Sequence, residues 1–157
     1  MALSALAALL LALQAPAAFA PEQFFVGRIE GQGVVHVLLS GRRAVRDRSR
    51  GHIDRGGALV IDQIVEEEGK PARRRVWRLV RSGADRFTGT ISDARGPVTG
   101  RVLGNVLHLS YRSVEGGVWV EQWITLLPGG RTARNRMAFS RFGLAVATLE
   151  STIRRVD

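Results

Sequence analysis

From about residue 20 onward, short runs rich in Val, Leu, Ile and Trp alternate with Gly-, Asp- and Arg-rich breaks. The breaks recur about every ten residues, almost to the C-terminus. That interval is too short for a strand, a crossover helix and a second parallel strand. It fits consecutive strands joined by tight turns, and so one antiparallel all-β domain. A sheet of about nine to ten such strands removes its exposed edges by closing on itself. The expected fold is therefore a single up-and-down β-barrel, lipocalin/calycin-like, with an interior that can hold a ligand.

Individual runs sharpen this reading. Residues 24–29 and 34–39 are apolar and separated by Gly31-Gln32-Gly33, which reads as a break. Residues 44–54 place Val45, Asp47 and Ser49 on one face and Arg46, Arg48 and Arg50 on the other. A strand with one cationic face is either solvent-facing or lines a polar cavity. Residues 73–81 are amphipathic, with Trp77 and Leu79 opposite Val76, Arg78 and Val80. Gly104-Asn105 between apolar runs predicts a tight hairpin of type I′ character. The recurrence of Gly96, Gly100 and Gly104 suits a bend or bulge. Residues 144–156 suit a strand or a short helix, and their Val, Thr and Ile content favours a strand.

Residues 1–20 carry no charged side chain and end in Ala18-Phe19-Ala20 before Pro21. This pattern predicts a secretory leader cleaved after Ala20, with residues 21–157 as one barrel domain. An uncleaved anchor is the rival reading, against which the apolar stretch is short and interrupted by Gln14 and Pro16. The expected location is exported, periplasmic or envelope-associated. The chain has no cysteine, which excludes thiolate-ligated metal, thiol catalysis and an N-terminal lipid-modified cysteine. Its formal net charge is +9, and all its basic residues but Lys70 are arginine. That charge describes a solvated basic surface or one drawn to an anionic membrane surface. Basic residues do not interleave with aromatics in a nucleic-acid-binding pattern, so no nucleic acid partner is expected.

Several positions carry candidate chemistry. Trp119, Glu121 and Trp123 share one face of one strand, where indoles supply stacking area and the carboxylate orients a ligand. The competing reading makes the indoles packing residues and pairs Glu121 with an arginine. Trp77 has the same alternatives. His36, His52 and His108 lack metal-ligand spacing, so no metal is expected. His52 and Asp54 share a face and form a weak acid/base candidate. Glu66-Glu67-Glu68 reads as a solvated hairpin tip, because neighbouring strand residues point to opposite faces. No Gly-x-Ser-x-Gly elbow or nucleotide loop is present, and no catalytic residue or cofactor is assigned.

Short segments in order resemble a known family. They are Arg75-Val76-Trp77-Arg78-Leu79, Asp93-Ala94-Arg95-Gly96-Pro97-Val98-Thr99-Gly100, Gly104-Asn105, Trp123, Asn135-Arg136 and Ser140-Arg141-Phe142-Gly143. Together they are similar to the bacterial envelope, lipoprotein-like proteins grouped as domain of unknown function 3833 (DUF3833). The family's Asp-Asp before tryptophan is Glu121-Gln122 here, and its Asp-Glu element is Asp62-Gln63. The resemblance implies fold and compartment and carries no established activity.

Three functions follow, in this order. The first is a non-enzymatic barrel binding a lipid-like or amphipathic small molecule, with Trp77, Trp119 and Trp123 lining it, Glu121 orienting the ligand and Arg75 or Arg78 meeting a headgroup. The second is a structural or interaction protein of the envelope with a filled barrel. The third is an enzyme using Glu121 or the His52/Asp54 couple.

Overall fold

The structure is a computed structural model and describes residues 17–157. A short helix α1 (Pro21–Phe24) precedes ten strands. These are β1 (Gly27–Val37), β2 (Gly41–Ile53), β3 (Leu59–Glu67), β4 (Arg73–Arg81), β5 (Arg86–Ile91), β6 (Ala94–Leu103), β7 (Val106–Ser113), β8 (Trp119–Leu126), β9 (Thr132–Arg141) and β10 (Leu144–Arg155). Each pairs antiparallel with the next, and β1 closes the ring on β10 from Ile29↔Arg155 to Val37↔Ala147. The expected all-β, closed, lipocalin-like barrel is the fold observed.

Inside–outside alternation follows the period of the sequence. On β4, Arg75, Trp77 and Leu79 are buried while Arg74 and Arg78 are exposed. On β2, Val45, Asp47 and Ser49 turn inward while Arg46, Arg48 and Arg50 meet solvent. The cationic face of that strand is thus the solvent-facing one. Outer arginines pair with carboxylates of neighbouring strands, as in Arg48–Glu66 and Arg78–Asp54, both 3.2 Å. Such exposed pairs are screened by water and salt, so the fold rests on interior apolar burial instead.

The two ends of the barrel differ. At one end the rings of Phe19, Phe24 and Phe25 pack together, with centroid distances of 5.0–6.1 Å. Phe19 also donates its backbone N–H to the Gly104 carbonyl at 2.9 Å. These rings join Ile29, Leu59, Leu107, Val120 and Ile124 in the main core and plug this end. Arg81 holds Glu22 of α1 at 3.0 Å, which ties the plug to the wall. The other end carries the β1–β2, β3–β4, β5–β6, β7–β8 and β9–β10 turns. The expected leader, residues 1–20, lies outside the described residues for 1–16. Of its last four residues, Phe19 is packed into the core.

Three local expectations differ from the structure. Residues 24–29 and 34–39 are not two strands. Phe24 ends α1, and Gly31-Gln32-Gly33 lies within the continuous β1. The reason is close approach. A Cβ on Gly31 would sit 2.1 Å from the Asp47 carboxylate, and one on Gly33 would sit 2.0 Å from the Glu150 carbonyl oxygen. The Gly104-Asn105 hairpin exists, but only Gly104 has positive φ (58°), which is the type II′ pattern. Glu66 and Glu67 end β3 and Glu68 opens the turn; Glu66 and Glu68 are exposed, as expected of a hairpin tip, whereas Glu67 is partly buried. Glu67 pairs with Arg43 and Lys70 at 3.2 Å each, and Glu68 accepts the Ala44 N–H. The glycine recurrence does mark a bulge, between Arg95 and Thr99 of β6, and residues 144–155 are a strand.

Candidate functional site

A cavity of about 340 Å³ opens between the turns at the unplugged end. Its upper wall is apolar, built from inward residues such as Val35, Val37, Val65, Phe139, Ala147 and Leu149. Its floor is polar. Asp47, Gln63, Trp77, Gln122, Asn135 and Ser151 form a belt across the barrel. Beneath the belt, a second cavity of about 50 Å³ is enclosed by residues such as Ile61, Leu79, Ile124 and Ile153.

The belt is two hydrogen-bonded chains. On one side Trp77 donates its indole N–H to Gln63 Oε1 at 3.0 Å, and Gln63 Nε2 donates to Asp47 Oδ2 at 3.0 Å. On the other, Gln122 Nε2 donates to Asn135 Oδ1 at 2.9 Å, and Asn135 Nδ2 donates to Ser151 Oγ at 3.0 Å. Gln122 Oε1 is buried and accepts no hydrogen bond. An unpaired buried acceptor is costly, and Gln122 itself lines both cavities. Burial pushes the Asp47 carboxyl above its ordinary value, and the Gln63 bond and the Arg75 charge offset this only in part.

Arg75 stands above the belt and is 7 % exposed. Its Nε donates to Asp93 at 2.9 Å and its Nη2 to the Tyr111 hydroxyl at 3.1 Å. The guanidinium lies 5.1 Å from the Trp77 ring centroid, and Trp77 meets Tyr111 edge-on at 5.6 Å. Burial works against its charge, but Tyr111 and Asp93 more than compensate, so it stays protonated. The site therefore offers a fixed cation, an unpaired acceptor and apolar walls.

Of the residues nominated from the sequence, Trp77 and Arg75 face this cavity. The expectation that Trp119, Glu121, Trp123 and Arg78 line the interior is corrected. On β8 the inward residues are Val120, Gln122 and Ile124, so the opposite parity is on the outer wall. Arg78 points outward as well and bridges to Asp54. The strand alternation was legible, but which face is inner depends on the whole ring.

Glu121 meets His108 on the outer wall of the barrel. It accepts from His108 Nε2, from Ser110 Oγ at 3.1 Å and from Trp119 Nε1 at 3.0 Å. Burial tends to raise its pKa, but these bonds together hold the carboxyl below its ordinary value. Trp123 stacks on His108 at 5.2 Å. Glu121, not the histidine, is the central acceptor. Ser110 donates to the carboxylate and has no base to activate it, so this is not a nucleophilic triad. The His52/Asp54 couple does not form. Asp54 Oδ1 accepts the Gly56 and Ala58 N–H groups at 2.9 Å and Oδ2 faces Arg78. Among the described residues no group of three or more ligand-type side chains converges on a metal-sized point.

Asp47, Gln63, Tyr111, Gln122, Asn135 and Ser151 are the site residues that sequence reasoning missed. Their signal was a polar residue at inward parity between apolar ones, as in Val120-x-Gln122-x-Ile124.

A plugged, ten-stranded antiparallel barrel with one open end defines a lipocalin-like β-barrel. The sequence profile of the family described as "Protein of unknown function (DUF3833)" matches residues 9–155, and the chain belongs to that family. Among solved structures it is similar to the S-type phycobiliprotein lyase CPES from Guillardia theta, with a TM-score of 0.68 and 11% identity over 88% of this chain and 94% of that chain. At that identity the likeness shows the fold alone. No match is found among curated proteins.

Proposed function

We propose that the chain is a non-enzymatic binding barrel that takes a lipid-like, amphipathic small molecule through its open end. The observation that carries this is the pairing of apolar upper walls with a floor holding the unpaired acceptor Gln122 Oε1, below the buried cation Arg75. Such a site suits a ligand whose polar group both donates and accepts and whose apolar part reaches the mouth. The volume falls at the lower end of the range for small-molecule sites, about 300–1,000 Å³. A barrel filled by its own side chains, the structural alternative, fits these walls less well.

The experiment is displacement of a dansyl-labelled fatty acid. The purified, delipidated chain is expected to bind the probe saturably at one site. Ala147→Trp, which fills the cavity, is expected to abolish binding. Failure of the folded chain to bind any of a series of fatty acids, fatty alcohols and monoacylglycerols overturns the reading.

Export to the periplasm or envelope belongs to the same proposal. Its support is the uncharged, apolar stretch of residues 1–20. Mass spectrometry of the protein from its native host tests it, and retention of Met1 counts against it.

A further inference from the structure

Two turns on the same side of the mouth hold large apolar side chains in the open. Leu39, in the β1–β2 turn, is 98 % exposed, and Phe142, in the β9–β10 turn, is 94 % exposed. Leu38 and Leu144 beside them are also exposed. The two turns are neighbours, because β1 pairs with β10 and Leu38 donates its N–H to the Val146 carbonyl at 2.9 Å.

Both tip residues are in the left-handed region, Leu39 at φ 64° and Phe142 at φ 51°. They are the only non-glycine residues there among those described. Asn or Gly would take these positions at lower cost, and an apolar side chain in water gains nothing from them. Strain held at an exposed position points to function.

Along the chain, the two turns and their flanks carry charge of one sign. Residues 37–43 and 140–145 contain Arg42, Arg43 and Arg141 and no acidic residue. Arg43 is paired with Glu67, whereas Arg42 and Arg141 make no salt bridge among the described residues. The carboxylates of the mouth lie at the β3–β4, β5–β6 and β7–β8 turns. No described helix is long and apolar enough to cross a membrane.

We infer that the Leu39 and Phe142 turns are a docking edge that inserts into the interfacial layer of an anionic lipid bilayer, with Arg42 and Arg141 against the headgroups. Apolar tips flanked by unpaired cations match the two layers such a surface presents, apolar below and anionic above. This deepens the carrier reading, on which its purpose rests, because the edge sets the cavity mouth against the membrane.

The test is co-sedimentation with vesicles of phosphatidylglycerol and phosphatidylcholine, compared with phosphatidylcholine alone. The expected result is binding to the anionic vesicles that weakens several-fold between about 0.1 M and about 0.5 M salt. The double variant Leu39→Asn, Phe142→Asn is expected to lose at least ~30-fold in vesicle affinity. The same variant is expected to melt at a higher temperature, since it relieves both left-handed strains, so lost binding cannot be ascribed to unfolding. Equal vesicle binding by variant and wild type overturns the inference, as does absence of binding by the wild type. A wild-type dimer that the variant converts to a monomer also overturns it, by making a second copy the occupant. Displacement of the soluble dansyl probe does not involve the tips. Its loss in the wild type strikes the carrier reading, and its retention with failed vesicle binding strikes only the docking edge.

Discussion

Arg75 donates to the Tyr111 hydroxyl at 3.1 Å and so links β4 to β7, strands separated in the ring by β5 and β6. Both side chains are buried, and Asp93 completes the group. Removing the cation leaves Asp93 and Tyr111 short of their donor. Arg75→Ala is expected to destabilise the fold by about 3 kcal/mol, since breaking a buried pair strands its partner. Tyr111→Phe removes one hydrogen bond and is expected to cost about 1 kcal/mol. Urea unfolding of the two variants checks the difference.

Asp47 gives stability a pH signature. Its carboxyl pKa lies above the ordinary value of 3.8 in the folded chain. The folded state therefore holds the proton more tightly than the unfolded one. Its contribution to stability is full below the ordinary value and is lost as pH rises through the raised folded value. Asp47→Asn has no such proton. The variant is expected to gain on the wild type as pH rises through that window and to run parallel to it above. Chemical unfolding across the acid range measures this, and a difference independent of pH contradicts it.

Phe19 is part of the plug, although it precedes the expected leader boundary at Ala20. Its ring is buried against Phe24 and Phe25. Phe19→Ala is expected to destabilise the barrel by about 3 kcal/mol. A chain beginning at Pro21 is expected to melt below one beginning at Ala17. Thermal unfolding of the two chains decides whether the plug needs this residue.

The outer-wall cluster and the cavity are separable. Glu121→Gln and Trp123→Phe change a surface network and are expected to leave probe binding within about twofold of wild type. Arg75→Met is expected to weaken it about tenfold or more, through loss of a charged hydrogen-bond donor. Probe titrations of the three variants check this.

Period-2 patterning made the barrel legible, because a strand's alternation is a local property. It put Trp77 and Leu79 on one face of β4 and Trp119, Glu121 and Trp123 together on one face of β8, but did not choose between Arg75 and Arg78, which have opposite parity. Which face is inner was not local. On β8 the aromatic parity is outer and the Val120–Gln122–Ile124 parity is inner, a choice fixed by the closed ring. The polar belt was invisible for a related reason. Asp47, Gln63, Gln122 and Asn135 come from four strands, and only the register brings them to one level. Gly31 and Gly33 read as a break because tight packing against Asp47 and Glu150 leaves no mark on a single strand.

Of the three tryptophans, Trp77 alone lines the cavity. In a Trp119→Phe, Trp123→Phe variant, emission reports that residue by itself. Titration of this variant with a brominated fatty acid, which quenches only indoles in contact with it, measures occupancy of the interior. Saturable quenching at one ligand per chain, lost in the Ala147→Trp background, is the predicted result. Unchanged Trp77 emission from a folded barrel at saturating ligand contradicts the account.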